Sequence, residues 1–253
     1  RQRRRRRLRR RLLLLGDPAD AEHLRQGAHP DDHPGGQLRD LLTQQRRNVF
    51  LINGTGIQQA ETAAKFIKAE GSRSVALIDD NTSYSTDITK RTGDRLGLLG
   101  VKVAGHQSVT AGESDYSGAV NAVMDSKADF VYWTGYYQEG GLLIKQLRAA
   151  GYQGRIMVAD GSVDGKLIKI AGRKNAQGVF ATMTQTPQTI PGGQGWVAKY
   201  KAKFGSEPGP YSTQAYDAVR VAAEAVRKAG STDGRDVTKR SSRSTASSSS
   251  RAR

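Results

Sequence analysis

The sequence contains no cysteine among its 253 residues. Disulfide bonds, thiolate zinc sites and catalysis by a thiol are therefore excluded, whereas the cellular compartment stays open. Histidine is almost as scarce, since residues 48–234 contain only His106. No nucleophile accompanies it in a pattern typical of a catalytic pair, so we predict that the chain is not an enzyme and needs neither a metal nor a cofactor.

Long apolar runs are missing as well. No stretch reaches the ~20 apolar residues that a membrane-spanning helix requires. Leu12–Leu15 follow a run of arginines, as the apolar part of a signal peptide would. The run is too short, however, and no small-residue cleavage site follows it, so we do not predict an export signal at the start of the chain.

The formal net charge of +16 is concentrated at the two ends of the chain. Residues 1–47 carry a net charge of +7 and residues 235–253 one of +5, which leaves +4 for residues 48–234. Arginine-rich and serine-rich ends cannot bury enough apolar surface to offset chain entropy and are predicted to be disordered. Because no aromatic residue is interleaved among their arginines, we do not predict a nucleic-acid partner.

Both end segments also admit a shifted reading frame. Back-translated with GC-rich codons and read one nucleotide later, residues 22–40 give a helix end, a buried strand and a turn rich in serine and threonine. Residues 235–247, read two nucleotides later, give the end of an amphipathic helix. We therefore hypothesise that 1–47 and 235–253 are out-of-frame translations that flank a genuine core, which sequencing the gene would test.

The core alternates short apolar segments with amphipathic ones. This alternation predicts an α/β fold with a parallel sheet and flanking helices. The predicted strands are 48–52, 75–78, 101–104, 130–133, 156–158 and 178–182. The predicted helices are 58–70, 86–99, 114–126 with Ser114 as N-cap, 140–150, 164–170, 196–204 and 211–229.

The segment 187–195 is rich in proline and glycine and interrupts the alternation. It predicts a crossing between two lobes. We therefore assign 48–186 to the second, ligand-binding lobe of the protein and 187–234 to helices of a partial first lobe. These two helices have no sheet of their own, which indicates that their lobe is incomplete.

Polar residues follow several predicted strands at the point where each strand ends. Tyr84 follows the strand at 75–78, Tyr136 follows that at 130–133, and Asp160 follows that at 156–158. Ligands of open parallel sheets bind outside the carboxyl ends of the strands. We therefore expect these three residues to converge on one edge, where a carboxylate and two tyrosines suit a small cationic or zwitterionic molecule.

Five strings within the core together resemble a known family. They are V-T-A-G-E-S-D-Y-S (109–117), V-Y-W-T-G-Y-Y-Q-E-G-G (131–141), V-A-D-G-S-V-D (158–164), I-A-G-R-K-N-A-Q-G-V (170–179) and G-P-Y-S-T-Q-A-Y-D-A-V (209–219). The chain is similar in these strings to the bacterial branched-chain amino acid binding proteins of ABC importers, which have the type I periplasmic-binding-protein fold. The resemblance covers residues 48–234 in one collinear block.

The resemblance implies two α/β lobes that close on a ligand, of which this chain holds one complete lobe and fragments of the other. It implies that Tyr84 and Tyr136 line the cleft and that Asp160 pairs with the ligand's ammonium group, where the best-known members have glutamate. The implied partners are a branched-chain or related amino acid or amide and a membrane permease. The implied state is a monomer, and the intact parent would be periplasmic or a cell-surface lipoprotein.

Other interpretations stay open for the same residues. Asp160 is also suited to capping the helix that follows it, and Tyr84 and Tyr136 could be packing or rim aromatics. The alternative function is a ligand-sensing regulator or receptor domain with the same fold. A regulator would need a DNA-binding helix pair, which Pro30 and Pro34 prevent in residues 1–47.

Overall fold

The computed structural model of the protein describes residues 50–238. Most of both charged end segments lies outside this range, and their predicted disorder and shifted reading frame therefore stay predictions. The exception is a short helix at residues 234–238, where the Val237 backbone N–H donates to the Asp233 carbonyl at 3.1 Å. The predicted start of the tail at residue 235 therefore falls inside a helical turn.

Strands and helices alternate through most of the described range. In chain order they are α1 Gly56–Ala69, β1 Ser74–Asp79, α2 Ser83–Leu98, β2 Lys102–Ser108, α3 Ser117–Ser126, β3 Phe130–Trp133, α4 Tyr137–Ala149, β4 Arg155–Val158, α5 Gly165–Ala171, α6 Arg173–Ala176, β5 Phe180–Ala181, α7 Gly193–Phe204 and α8 Ser212–Ala229. A 3-10 turn at Asp160–Ser162 lies between β4 and α5.

The five strands form one sheet in the order β2-β1-β3-β4-β5, and each neighbouring pair is parallel. In β3, Phe130 lies opposite Val75 of β1 on one side and opposite Arg155 of β4 on the other. Parallel neighbours need crossover connections, which the intervening helices provide. The carboxyl ends of all the strands therefore meet at one edge of the sheet.

Both faces of the sheet are covered. Side chains alternate between the faces along each strand, so Ile78 and Trp133 pack with residues of α3, α4 and α5, whereas Leu77 and Tyr132 pack with residues of α1 and α2. Trp133 and Tyr132 are fully buried. Full burial of a large apolar side chain stabilises the folded state by about 1.5–3 kcal/mol. Burial against helices on both faces of the sheet therefore explains why the central strand β3 consists of apolar and aromatic residues alone.

The contacts divide the described residues into two units. One comprises 54–185 and contains the whole sheet; the other comprises 50–53 and 186–238, with α7 and α8. In the second unit the Trp196 ring lies 5.2 Å from that of Tyr200 and 6.0 Å from that of Tyr216. The assignment of these units to particular lobes of a larger protein stays a prediction.

Several predicted elements differ in their bounds from those observed, and three of the differences are the following. Residues 50–52, the described part of the predicted strand at 48–52, are irregular and exposed, because no strand of the described sheet pairs with them. The N-cap is not Ser114, since α3 begins at Ser117, whose backbone N–H donates to Asp115 at 3.0 Å. Helix α7 begins inside the predicted crossing at 187–195, and the units separate earlier, at Gln185.

No helix among residues 50–238 combines the length and apolar character that a membrane crossing requires.

Glycine packing within α4 provides a test of this fold. A Cβ atom at Gly141 would lie 2.8 Å from the Cβ of Ile170 in α5, whereas one at Gly97 in α2 would meet nothing within 4 Å. We expect Gly141→Ala to lower the free energy of unfolding by about 1–3 kcal/mol through overpacking. The matched Gly97→Ala should raise it by about 0.5–1 kcal/mol, because alanine favours the helix. Urea unfolding followed by circular dichroism measures both, and equal effects would contradict the α4–α5 packing.

Candidate functional site

The three residues singled out from the sequence lie together at the carboxyl edge of the sheet. Tyr84 is in the first turn of α2, Tyr136 directly precedes α4, and Asp160 opens the 3-10 turn after β4. The ring centroids of Tyr84 and Tyr136 are 5.5 Å apart with an interplanar angle of 35°. The expected convergence is therefore present, whereas the binding role of these residues stays a prediction.

Asp160 and Tyr84 are joined by a short hydrogen bond. The Tyr84 hydroxyl donates to Asp160 Oδ1, and the backbone N–H of Gly161 donates to the Tyr84 hydroxyl oxygen at 3.0 Å. The phenol is thus held between the carboxylate and the backbone that follows it. The side chain that caps α5 is Asp164, whose Oδ1 accepts from the Lys166 backbone N–H at 2.7 Å.

Burial and this carboxylate both act on the Tyr84 phenol. Loss of hydration on burial disfavours the phenolate, and the negative charge of Asp160 disfavours it further, so the pKa of Tyr84 is raised well above its usual value. Burial also raises the pKa of Tyr132, which lies deeper in the same region. Both phenols are therefore neutral hydrogen-bonding groups at physiological pH.

Local capping positions Tyr84. The Thr82 side chain caps α2 by accepting from the Ser85 backbone N–H at 3.3 Å. Asp80 accepts in turn from the Thr82 backbone N–H at 3.1 Å and from its hydroxyl at 2.6 Å. This chain of contacts determines where the helix starts after β1, and Tyr84 follows two residues after its cap.

A buried threonine links the loop after β3 to α2. The Thr134 hydroxyl lies 2.8 Å from that of Ser85 and 2.6 Å from that of Thr89, and it contacts the backbone carbonyl of Ser85 at 3.0 Å. All three side chains are buried. Since buried polar groups are costly unless they are paired, these contacts hold the loop that carries Tyr136 against the helix that carries Tyr84.

Hydrogen bonds and close packing hold the backbone of the loop between β3 and α4 in place. Trp133 Nε1 donates to the Tyr136 carbonyl at 3.0 Å, and the Ser162 hydroxyl donates to the Gly135 carbonyl at 2.8 Å. A Cβ atom at Gly135 would lie 2.3 Å from the Trp133 ring, so only glycine fits there. A Cβ at Gly161 would lie 3.2 Å from both tyrosine rings, which shows how closely the backbone approaches them.

The structure adds two residues that the sequence interpretation missed. Gln59 Nε2, in the first turn of α1, donates to Asp160 Oδ1 at 2.7 Å and to the Thr182 hydroxyl oxygen at 3.0 Å. Thr182 follows β5 and lies 3.1 Å from the Tyr132 hydroxyl. Their places in the sequence could have pointed to them, because Thr182 directly follows a strand and Gln59 lies in the first turn of a helix at the same edge of the sheet.

The edge does not resemble a metal centre. Among residues 50–238 there is no cluster of three or more histidine, cysteine, aspartate and glutamate side chains suited to a metal ion. His106, the one histidine of residues 48–234, is half-exposed and contacts the buried carboxylate of Asp79 at 2.5 Å. The arrangement around Asp160 is instead a carboxylate bordered by neutral hydrogen-bond donors and two aromatic rings.

The fold is an α/β unit with a parallel sheet, and comparison with known proteins identifies its family. A family model described as periplasmic binding protein matches residues 35–248. The chain belongs to this family, which confirms the resemblance found in residues 48–234 and extends it at both ends.

The relatives carry consistent names. A Leu/Ile/Val-binding protein homolog of Brucella suis is 30% identical over 207 residues, which are 81% of this chain and 55% of the relative. An amino acid binding protein of Pseudomonas aeruginosa is 31% identical over 202 residues, 79% of this chain and 54% of the relative. The chain therefore spans about half the length of the curated relatives it matches.

Solved structures confirm the predicted fold class. The crystal structure of a leucine binding protein from Thermotoga maritima superposes with a TM-score of 0.73 at 29% identity, over 79% of this chain and 58% of the other. A branched-chain amino acid binding protein from Streptococcus pneumoniae in complex with isoleucine gives 0.68 at 20% identity, over 80% and 58%, and supports the fold alone. The partial coverage agrees with one complete lobe and part of another.

The raised pKa of Tyr84 yields a prediction about alkaline pH. A phenol whose folded pKa lies above its unfolded value of about 10 contributes stability that is complete below pH 10 and is lost as the pH rises further. Tyr84→Phe should therefore lower the free energy of unfolding by about 1 kcal/mol at pH 7, the worth of a hydrogen bond, and this deficit should shrink above pH 10. Urea titrations at pH 7 to 11 measure it.

The control for that experiment is Ile88→Val, which removes one methylene from a buried side chain in the same helix. Its difference from the parent chain should stay constant over the same pH range, because neither side chain can ionise. A Tyr84→Phe deficit that also stayed constant would show that the Tyr84 phenol is not held away from water.

Proposed function

We propose that this chain is the ligand-binding part of an extracytoplasmic solute-binding protein that takes up amino acids, branched-chain or related, for an ABC importer. The observation that carries the proposal is the Asp160 carboxylate at the carboxyl edge of the sheet, beside the Tyr84 and Tyr136 rings. Names of relatives that refer to leucine, isoleucine and valine support the choice of ligand class.

In this proposal Asp160 receives the ammonium group of the ligand. A charged hydrogen bond between ammonium and carboxylate is stronger than a neutral one, and the adjoining tyrosine rings exclude water from one side of it. Aromatic faces also attract cations and cover aliphatic groups. The two rings therefore suit both the ammonium group and the start of an apolar side chain.

The proposed action is binding without chemistry. Tyr84 and Gln59 donate neutral hydrogen bonds to Asp160, and the raised pKa of the Tyr84 phenol keeps it protonated, so that it does not act as a general base. Closure of two lobes around the ligand would present a recognisable state to the membrane permease. The proposed partner is that permease, the proposed state is a monomer, and the intact parent would act in the periplasm or as a surface lipoprotein.

Three ligands that share a carbon skeleton test the proposal. Leucine has ammonium and carboxylate groups, 3-methylbutylamine has the ammonium alone, and 4-methylpentanoate has the carboxylate alone. If Asp160 receives the ammonium, leucine and 3-methylbutylamine should both shift the backbone NMR signals of Tyr84, Tyr136 and Gly161 in the 253-residue chain, with 4-methylpentanoate shifting none of them. Equal shifts from the carboxylate-only ligand would refute the assignment.

Asp160→Asn is the matched variant for these titrations, because it keeps the shape and removes the charge. A hydrogen bond to a charged group contributes about 1.5–3 kcal/mol, so affinity for both ammonium ligands should fall roughly tenfold to a hundredfold. Asp164→Asn, which alters the cap of the nearby α5, is the control and should leave both affinities unchanged.

A further inference from the structure

The carboxamide of Gln59 bridges two strand ends. Its Nε2 donates to Asp160 Oδ1 at 2.7 Å and to the Thr182 hydroxyl oxygen at 3.0 Å. A primary amide nitrogen has two N–H bonds, and both are directed at these acceptors. The reversed amide would place its oxygen against the carboxylate, so the two contacts determine which way the group faces.

The Thr182 end of this bridge is firmly anchored in the sheet. Thr182 is 7% exposed and its backbone N–H donates to the Val158 carbonyl at 2.9 Å, which continues the pairing of β4 with β5. Its hydroxyl also contacts that of Tyr132, a side chain with no exposure to solvent. A hydrogen bond to such a partner restricts the Gln59 side chain far more than a contact with a mobile surface group would.

The backbone of Gln59 is held as well. The Thr55 backbone N–H donates to Gln58 Oε1 at 2.9 Å, and the Gln58 backbone N–H donates to the Thr55 hydroxyl oxygen at 3.3 Å. This reciprocal capping box defines the first turn of α1. Gln59 follows directly after it, and its own backbone N–H donates to the Thr55 carbonyl at 3.0 Å, a bond that does not need the Gln58 side chain.

Asp160 Oδ1 consequently has donors on two sides. Tyr84 approaches from α2 and Gln59 from α1, although these helices start 27 residues apart along the chain, at Gly56 and Ser83. Two donors on one oxygen restrict both torsions of the short aspartate side chain. A carboxylate that is already oriented loses less side-chain entropy when a ligand binds.

We propose that Gln59 is a positioning residue, which holds the Asp160 carboxylate in the orientation that receives the ligand's ammonium group. This assignment rests on the proposed function. Gln59 acts through Asp160, and so it should influence ligands that carry an ammonium group and leave those without one unaffected. Its second contact, to Thr182, keeps the carboxamide in place when the ammonium competes for the carboxylate.

The test compares Gln59→Met with Gln58→Met in the 253-residue chain. Methionine is close in length and shape to glutamine but cannot donate. The Gln58 variant disrupts the capping box and leaves the bridge intact, so it controls for effects on the start of α1. We expect Gln59→Met to weaken binding of leucine and 3-methylbutylamine roughly 3- to 10-fold, the worth of one hydrogen bond, and Gln58→Met to leave both within about twofold.

A spectroscopic measurement without ligand accompanies the binding data. The side-chain amide protons of Gln59 should exchange slowly with water in the parent chain, and Asp160→Asn should shift one of them while Thr182→Val shifts the other. A Gln59 amide that exchanges freely would overturn the proposal. So would unchanged affinity of Gln59→Met for the two ammonium ligands.

Failure of the proposed ligand function and failure of the Gln59 positioning role would give different results in these experiments. If the parent chain binds neither ammonium ligand, the proposed function fails together with the ligand role of Gln59, even where the slow amide exchange is seen. If the parent binds both and Gln59→Met binds them equally well, the positioning role alone fails. An equal loss in both glutamine variants would also overturn it, because the effect would then come from the start of α1.

Discussion

A parallel sheet must bury both of its faces, and the rest of this structure follows from that constraint. With helices on either side, the residues of β3 have no access to water on either face, and all four are buried. Polar side chains can then be accommodated only where strands end. Asp160, Tyr84, Tyr136 and Thr182 all lie at such ends, so the same burial that stabilises the unit also concentrates its hydrogen-bonding groups along one edge.

Neutral side chains at this edge of the sheet hold the Asp160 carboxylate and the loops around it in place. Gln59 reaches the carboxylate from a helix, Thr182 supports Gln59 from a strand end, and Thr134 ties the loop after β3 to α2. Each of these three side chains has a partner within the unit that contains the sheet. A carboxylate so surrounded is oriented before any ligand arrives, which is the condition for selective binding of a small molecule.

Strands in the middle of the sheet were predicted closely, whereas the two edge strands were predicted with the wrong lengths. Strand β3 begins and ends as predicted, because its four consecutive apolar residues are all buried. The edge strand β2 extends four residues past its predicted end, because its pairing with β1, rather than its burial, determines its length. Tyr84, Tyr136 and Asp160 could be found by counting from strand ends. Gln59 was harder to find, because it follows no strand end and lies 101 residues from Asp160, so that only its place in the first turn of a helix pointed to it.

The strand order allows the sheet to form strand by strand while the chain is being translated. Strand β1 is made first of the five, β2 adds to one side of it and β3 to the other, and β4 and β5 then extend the β3 side in turn. Every strand thus finds its partner already synthesised, and none has to insert between two strands that have already paired. Translation proceeds at about 5–20 residues per second, so the sheet can grow outward one edge at a time while the chain is being made. The set of contacts around Asp160 is complete only when β5 has been added, because Thr182 follows that strand.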